Sequence, residues 1–202
     1  KYLDDVLTDI KFSNVAWNND KGIFYKKNSN KEFFEKDSTY QLYYHKIGDI
    51  QSKDQLVFDT SKEKSNFSFF TKEDKLFIIE ESEDEITTNY YYSDLNNEMF
   101  QFTNFLKDNN SNIDFLNIKN NKFYFSDEKY PWGNISYFDI NNPNENQILI
   151  PQVYTHLLID ATFLEKYIIC SIKILVNNLC LFMIFLANLF QNFKRLIIMI
   201  SK

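Results

Sequence analysis

Glycine and proline are scarce in this chain: its 202 residues hold three of each. The glycines, Gly22, Gly48 and Gly133, stand far apart. That spacing excludes a glycine-rich phosphate loop and a Gly-x-Ser-x-Gly nucleophile elbow, and no His-Glu-x-x-His motif occurs either. His45 and His156 are the only histidines, and Cys170 and Cys180 the only cysteines. So few, so widely spaced, they lack the ligand spacing of a zinc site. Two cysteines near one end give no disulfide framework and fit a reducing compartment. A basic surface is missing as well. The net charge of −6 and the pI near 5.0 argue against a nucleic-acid partner, which needs cations over the phosphates. The opening, Lys1-Tyr2-Leu3-Asp4, has no initiator Met and no apolar leader. It reads as the middle of a longer polypeptide without a secretory signal, and a cytoplasmic location is expected. Acidic residues, finally, stop early: 28 occur up to Glu165 and none after it.

What is present is aromatic and strand-forming. Phe and Tyr number 21 and 13, and residues of this kind suit strands packed face to face. The strands come in sets of four. The first set is expected at 12–17, 22–27, 41–48 and 54–60. The second is expected at 66–71, 75–82, 89–95 and 99–105, and the third at 113–119, 122–127, 134–140 and 146–152. A fourth set begins with 156–162 and 166–172. The second strand marks the period. Ile23 to Leu76 is 53 residues, Leu76 to Phe123 is 47, and Phe123 to Tyr167 is 44. Strand-only repeats of this length are propeller blades. The turn Asn18-Asn19-Asp20-Lys21-Gly22 uses residues that tolerate positive φ. The fold expected is all-β: a partial β-propeller of about three and a half four-stranded antiparallel blades over 1–172.

No constellation in the sequence points to chemistry of its own. Catalytic, cofactor-binding and metal-binding residues are all expected to be none. Glu80-Glu81-Ser82-Glu83-Asp84-Glu85 reads as an acidic, solvated loop between two strands, because a Ca²⁺ loop needs spaced ligands and a sharp glycine turn. His45 reads as a packed or edge side chain of its strand. The sequons at Asn66, Asn109 and Asn134 are expected by chance in an Asn-rich chain.

From 173 to 202 the character changes. Alternation stops, and the third strand due in the fourth blade is not evident. The run 179–190 is apolar except for Asn188, and Lys194 and Arg195 flank it. Leu, Met and Ala favour a helix there. The tail is expected to be sequence foreign to the blades, such as a frameshift product or a membrane-associated helix. At twelve residues the run is short for a span, so a membrane is not the expected partner.

Two stretches carry a family resemblance. LDDVLTDIKFSNVAWNNDKGIFY at 3–25 resembles the "D-V-L-x-x-V-K-F-S-x-x-A-W-T-x-D-x-K-G-x-F-Y" segment of the prolyl oligopeptidase (prolyl endopeptidase) family. After a polar insertion at 26–39, QLYYHKIGDIQSKD at 41–54 is similar to that family's "K-L-Y-Y-H-x-L-G-T-x-Q-S-x-D". Weaker likeness continues through 134–140 and 147–151, and it covers roughly 2–172. The resemblance implies a seven-bladed propeller that gates short proline-containing peptides to an α/β-hydrolase domain with a Ser, Asp, His triad and no cofactor. No position here matches that triad, so the chain itself is expected to be inactive. The alternative expectation is a non-enzymatic propeller protein tethered to a membrane by its tail.

Overall fold

A computed structural model describes residues 5–10, 13–28, 40–62, 65–82, 87–109, 113–176, 179–188 and 197–200. Its strands form four-stranded antiparallel sheets, each built in chain order. The first sheet holds β1 (Val15–Asn18), β2 (Gly22–Asn28), β3 (Tyr40–Lys46) and β4 (Gln55–Asp59). The second holds β5 (Asn66–Lys72), β6 (Lys75–Glu81), β7 (Thr88–Asp94) and β8 (Thr103–Asn109). In the third are β9 (Ile113–Lys119), β10 (Lys122–Asp127), β11 (Ile135–Asp139) and β12 (Asn142–Ile150). The fourth holds β13 (His156–Phe163), β14 (Tyr167–Val176), β15 (Leu179–Asn188) and β16 (Ile197–Ile200). The repeated sets expected from the sequence are therefore present.

Two expectations need correction. The stretch given over to a helix-favouring tail is extended instead. β15 pairs with β14 from Tyr167↔Asn188 to Val176↔Leu179, and β16 continues the sheet. A short apolar run cannot be told from a helix by periodicity, and its Ile and Phe content suits a strand as well. Residues 189–196 lie outside the described residues. The other correction concerns fourth strands. β8 starts at Thr103 rather than 99, because Phe100 and Phe102 leave the ladder to pack on the core. β12 starts at Asn142 rather than 146, since Asn-rich sequence reads as turn even where a neighbouring strand supplies the pairing.

With so little glycine, the hairpins turn on other residues. Glu73 and Asp74 sit at φ 50° and 54°, and Asn120 and Asn121 at 52° and 57°. Both pairs are two-residue turns in left-handed backbone conformation, a geometry that matches the right-handed twist of the strands they join. Each turn is then tied to the end of the third strand. Ile47 donates its N–H to the Lys21 carbonyl (3.1 Å), Leu95 to Asp74 (2.9 Å) and Ile140 to Asn121 (2.9 Å). One hydrogen bond at one place in each of the first three sheets is the physical form of the repeat.

The chain divides into two units, Lys1–Asn110 and Ser111–Lys202. In the first, Ala16, Phe24 and Leu42 of one sheet pack on Phe67, Phe69, Leu76 and Ile78 of the next, with Leu95 completing the cluster. Phe58 meets Phe67 (5.4 Å), Tyr91 (5.5 Å) and Phe102 (5.4 Å) edge-on, the geometry aromatic rings prefer. In the second unit Tyr124 and Ile135 pack against Ile168 and Cys170. There Gly133, at φ 78°, lets the chain pass so close to β13 that a Cβ would sit 2.6 Å from that of Leu158. The Leu158 N–H donates to the Trp132 carbonyl beside it (2.9 Å).

Within these two hairpin turns, Glu73 carries the side chain least suited to its backbone. Left-handed backbone costs roughly 1–2 kcal/mol for most residues and less for Asn. Glu73→Asn is expected to stabilise the first unit by about 1 kcal/mol, read as a higher denaturant midpoint with an unchanged slope. No gain would show that contacts of the Glu73 side chain outweigh its backbone strain.

Candidate functional site

The polar residues of the two stretches that carry the family likeness converge on one buried cluster in the first sheet. β2 and β3 pair Tyr25 with Tyr43, and alternation along β3 puts His45 on the same face. A single turn of 3-10 helix, Gln51–Lys53, then brings Asp54 beneath them. Asp54 Oδ1 lies 2.7 Å from His45 Nδ1, and Asp54 Oδ2 accepts the Tyr25 hydroxyl at 2.7 Å. The side chains of His45 and Asp54 are 2% and 3% exposed. Gln51 Nε2 donates to the Tyr25 oxygen (3.4 Å) and to the Thr8 carbonyl (3.0 Å), and the Thr8 N–H donates to Gln51 Oε1 (2.9 Å). Nearby, both oxygens of Asp5 accept the Gly48 N–H, at 3.1 and 3.0 Å. The segment 5–10 is thus fastened across the loop after β3.

This constellation holds a His–Asp pair but no nucleophile. The Tyr25 hydroxyl bonds the carboxylate rather than the imidazole, and His45 Nε2 is buried with no partner among the described residues. Serine-type chemistry needs the opposite: a hydroxyl on the free nitrogen and access to substrate. The cluster is a structural lock. Burial, then the bond to Asp54, hold the Tyr25 phenol far above its usual range. Sequence reading placed His45 as a packed side chain and missed its partner, because Asp54 lies nine residues on, across a loop. The spacing of the matched stretch was the available signal.

Other candidates fall elsewhere. Glu80 and Glu81 belong to β6 rather than a loop, and Glu80 is buried. It accepts the Ser65 hydroxyl at 2.5 Å and the Tyr91 hydroxyl at 2.7 Å, which is why a carboxylate is tolerated there. Residues 83–86 of the acidic run lie outside the described residues. His156, at the start of β13, has Nδ1 3.0 Å from the Tyr154 carbonyl and joins no cluster. The Asn134 sequon is closed to a glycan in the folded chain: its side chain is buried between the Asp127 N–H (2.9 Å) and the Ser136 hydroxyl (2.7 Å). Asn66, the exposed sequon, accepts the Lys26 ammonium at 3.0 Å. Residues 110–112, part of the third sequon, lie outside the described residues. Burial pushes the Cys170 thiol up to about 12, a value that keeps it protonated and unreactive.

Lys26 links the first two sheets. Its ammonium donates to the Phe67 carbonyl (2.6 Å) and lies over the rings of Tyr40 (4.3 Å) and Phe67 (4.6 Å). Burial lowers its pKa to about 8 from the ordinary 10.5, with Glu81 opposing. Lys119 spans the second pair of sheets in the same way, donating to the Leu164 carbonyl at 2.6 Å and to that of Glu165.

Two outcomes follow from these groups. Asp54→Ala leaves a buried hydroxyl and an imidazole unpaired and is expected to cost about 3 kcal/mol in urea unfolding. A loss below roughly 1 kcal/mol, the net worth of a single hydrogen bond, would show that the lock is dispensable. The pH dependence has two limbs. Between about 8 and 10.5 the unfolded chain keeps the Lys26 proton that the folded chain has shed, so this group makes stability rise with pH. Tyr25 acts oppositely: the unfolded phenol ionises near its ordinary 10.0 while the folded one stays protonated, so stability falls above that pH. Tyr43 and Tyr44, also raised by burial, add to the fall. Lys26→Met is expected to flatten the rising limb, and Tyr25→Phe to soften the falling one, in urea midpoints taken from pH 7 to 11 (roughly the span of the two titrations).

Comparison with known proteins agrees with this picture. Residues 1–182 match the family profile described as prolyl oligopeptidase, N-terminal beta-propeller domain, and the match runs past the boundary expected at 172. A prolyl endopeptidase of Elizabethkingia meningoseptica is 25% identical over 150 residues, 71% of this chain and 21% of that protein. The prolyl endopeptidase of Elizabethkingia miricola is 29% identical over 104 residues, 48% of this chain and 15% of that one. Among solved structures, prolyl oligopeptidase B from Galerina marginata, bound to a 35mer hydrolysis and macrocyclization substrate, superposes with a TM-score of 0.74 at 18% identity. That superposition covers 96% of this chain and 28% of the fungal protein. Oligopeptidase B from Leishmania major gives 0.68 at 12% identity, over 94% of this chain and 26% of that one, a likeness of fold alone. The chain spans about a fifth of the length of the first curated relative. By its family match and its four-stranded sheets, the chain belongs to the prolyl oligopeptidase family, as part of the N-terminal β-propeller domain.

Proposed function

We propose that these residues act as part of the propeller that screens peptides for a separate α/β-hydrolase domain in a proline-specific serine peptidase. The observation that carries this is the family match over 1–182, joined to curated relatives that are prolyl endopeptidases. In this reading the sheets exclude bulky folded substrates, and short proline-containing peptides are the substrate class. The setting is cytoplasmic and no cofactor takes part. The hydrolase supplies nucleophile, base and oxyanion donors, none of which the sequence of this chain supplies.

No observation favours the rival, a tethered non-enzymatic propeller. Among the described residues no helix is long and apolar enough to cross a membrane. The family match reaches residue 182, and only the acid-free residues beyond it are read as foreign to the family, through a shifted frame or a retained intron. An uninterrupted transcript across the codons for 165–185 would end that account.

The DNA downstream tests the main proposal. A continuing or adjacent frame that encodes further blades and a Gly-x-Ser-x-Gly elbow supports it, and a propeller followed by no hydrolase frame overturns it. The chain alone is expected to leave a fluorogenic Gly-Pro reporter intact. Inhibitor-sensitive release by the pure chain would contradict the assignment of all catalysis to another domain.

A further inference from the structure

The pairing of β11 with β12 is irregular, and the irregularity opens a cleft. Tyr137 pairs with Gln147 but Asp139 pairs with Asn142, so Phe138 alone faces the four residues 143–146. Extra residues in one strand bow it out of the ladder and re-aim its side chains. The space left is a cleft of about 250 Å³, lined by Lys122, Tyr137, Asp139, Asn142, Glu145 and Gln147.

Its charges are not neutralised from within. Lys122 and Asp139 are register partners on β10 and β11, yet among the described residues no ion pair joins them. The Lys122 ammonium lies instead over the Tyr137 ring, 4.4 Å from its centre. The Tyr137 hydroxyl is in turn held by Gln147. Asp139 Oδ1 accepts both the backbone and side-chain N–H groups of Asn141, at 2.9 and 3.0 Å. Glu145 is exposed on the bowed strand. One ring-held cation, two carboxylates and two primary amides thus share a space large enough for a dipeptide.

We propose that this cleft binds a small zwitterion of dipeptide size, with its carboxylate on Lys122 and its ammonium between Asp139 and Glu145. A lone anion would meet two carboxylates, and a lone cation would meet Lys122. A molecule carrying both charges satisfies each wall. Asn142 and Gln147 offer the donors and acceptors that an amide bond between the two ends requires. The inference goes beyond the peptidase proposal and does not rest on it, since it is drawn from the cleft alone.

Calorimetric titration of the full chain tests it with alanyl-alanine, its N-acetyl form and its C-terminal amide. Free alanyl-alanine is expected to bind, and removal of either charge is expected to weaken binding about fivefold, as for exposed ion pairs. Lys122→Gln should abolish the difference between the free dipeptide and its amide while leaving the acetyl penalty, and Lys122→Arg should restore it. Glu145→Gln should shrink the acetyl penalty alone. A longer peptide, whose termini lie too far apart to enter together, should bind no better than the singly charged forms. Equal affinity for all three probes, no binding of any, or an amide penalty that survives Lys122→Gln would each overturn the proposal.

Discussion

Everything in this chain depends on burying both faces of the second strand in a sheet. In β6 Leu76, Phe77 and Ile78 are buried in succession, and in β10 so are Phe123, Tyr124 and Phe125. Consecutive buried residues on a strand point to opposite faces, so such a sheet has no side to offer to water. A four-stranded sheet of this kind cannot stand alone and must be layered against others. The clusters centred on Phe24, Leu42 and Leu76 in one unit, and on Ile135 and Ile168 in the other, are what layering looks like at the level of side chains. Sequence repetition follows from the same demand, since each sheet must present a face its neighbour can match.

Polar groups fix what apolar layering leaves loose. Apolar faces slide, but the His45–Asp54–Tyr25 cluster admits one arrangement, because each displaced member would strand a buried polar atom. It ties two strands of the first sheet, β2 and β3, to the helical turn at Gln51–Lys53, and through Gln51 to Thr8. The residues that make the family recognisable in sequence are therefore residues of architecture. The family signature of the first sheet is in this respect a signature of its packing.

Much of this was legible beforehand. The 44–53-residue period located the first three sheets because second strands are apolar enough to stand out from polar turns. Fourth strands were misplaced for a physical reason: β8 and β12 lie at sheet edges, where half-exposed sequence such as Asn142–Ile150 carries little alternation to read. Tail residues 179–188 show the reverse problem, an apolar run whose strand pairing with β14 only the partner strand defines. The Asp54 partnership and the bowed β12 cleft were invisible because both are made by loops and bulges, which set distances that linear spacing does not encode. Glu80 was misread because the hydroxyls that bond its carboxylate come from Ser65 and Tyr91, fifteen and eleven residues away.

The left-handed turns also govern how the chain ages covalently. Where other proteins place glycine, Asn19, Asn120 and Asn121 adopt positive φ. Asparagine loses its side-chain amide when the next backbone nitrogen attacks it, and the reaction is fastest when that next residue is glycine. Here Asp20, Asn121 and Lys122 follow, and no asparagine in the chain precedes a glycine. The same scarcity that forces asparagine into the turns removes the neighbour that would make it decay, so the hairpins keep their shape without the rapid isoaspartate formation that Asn-Gly turns suffer.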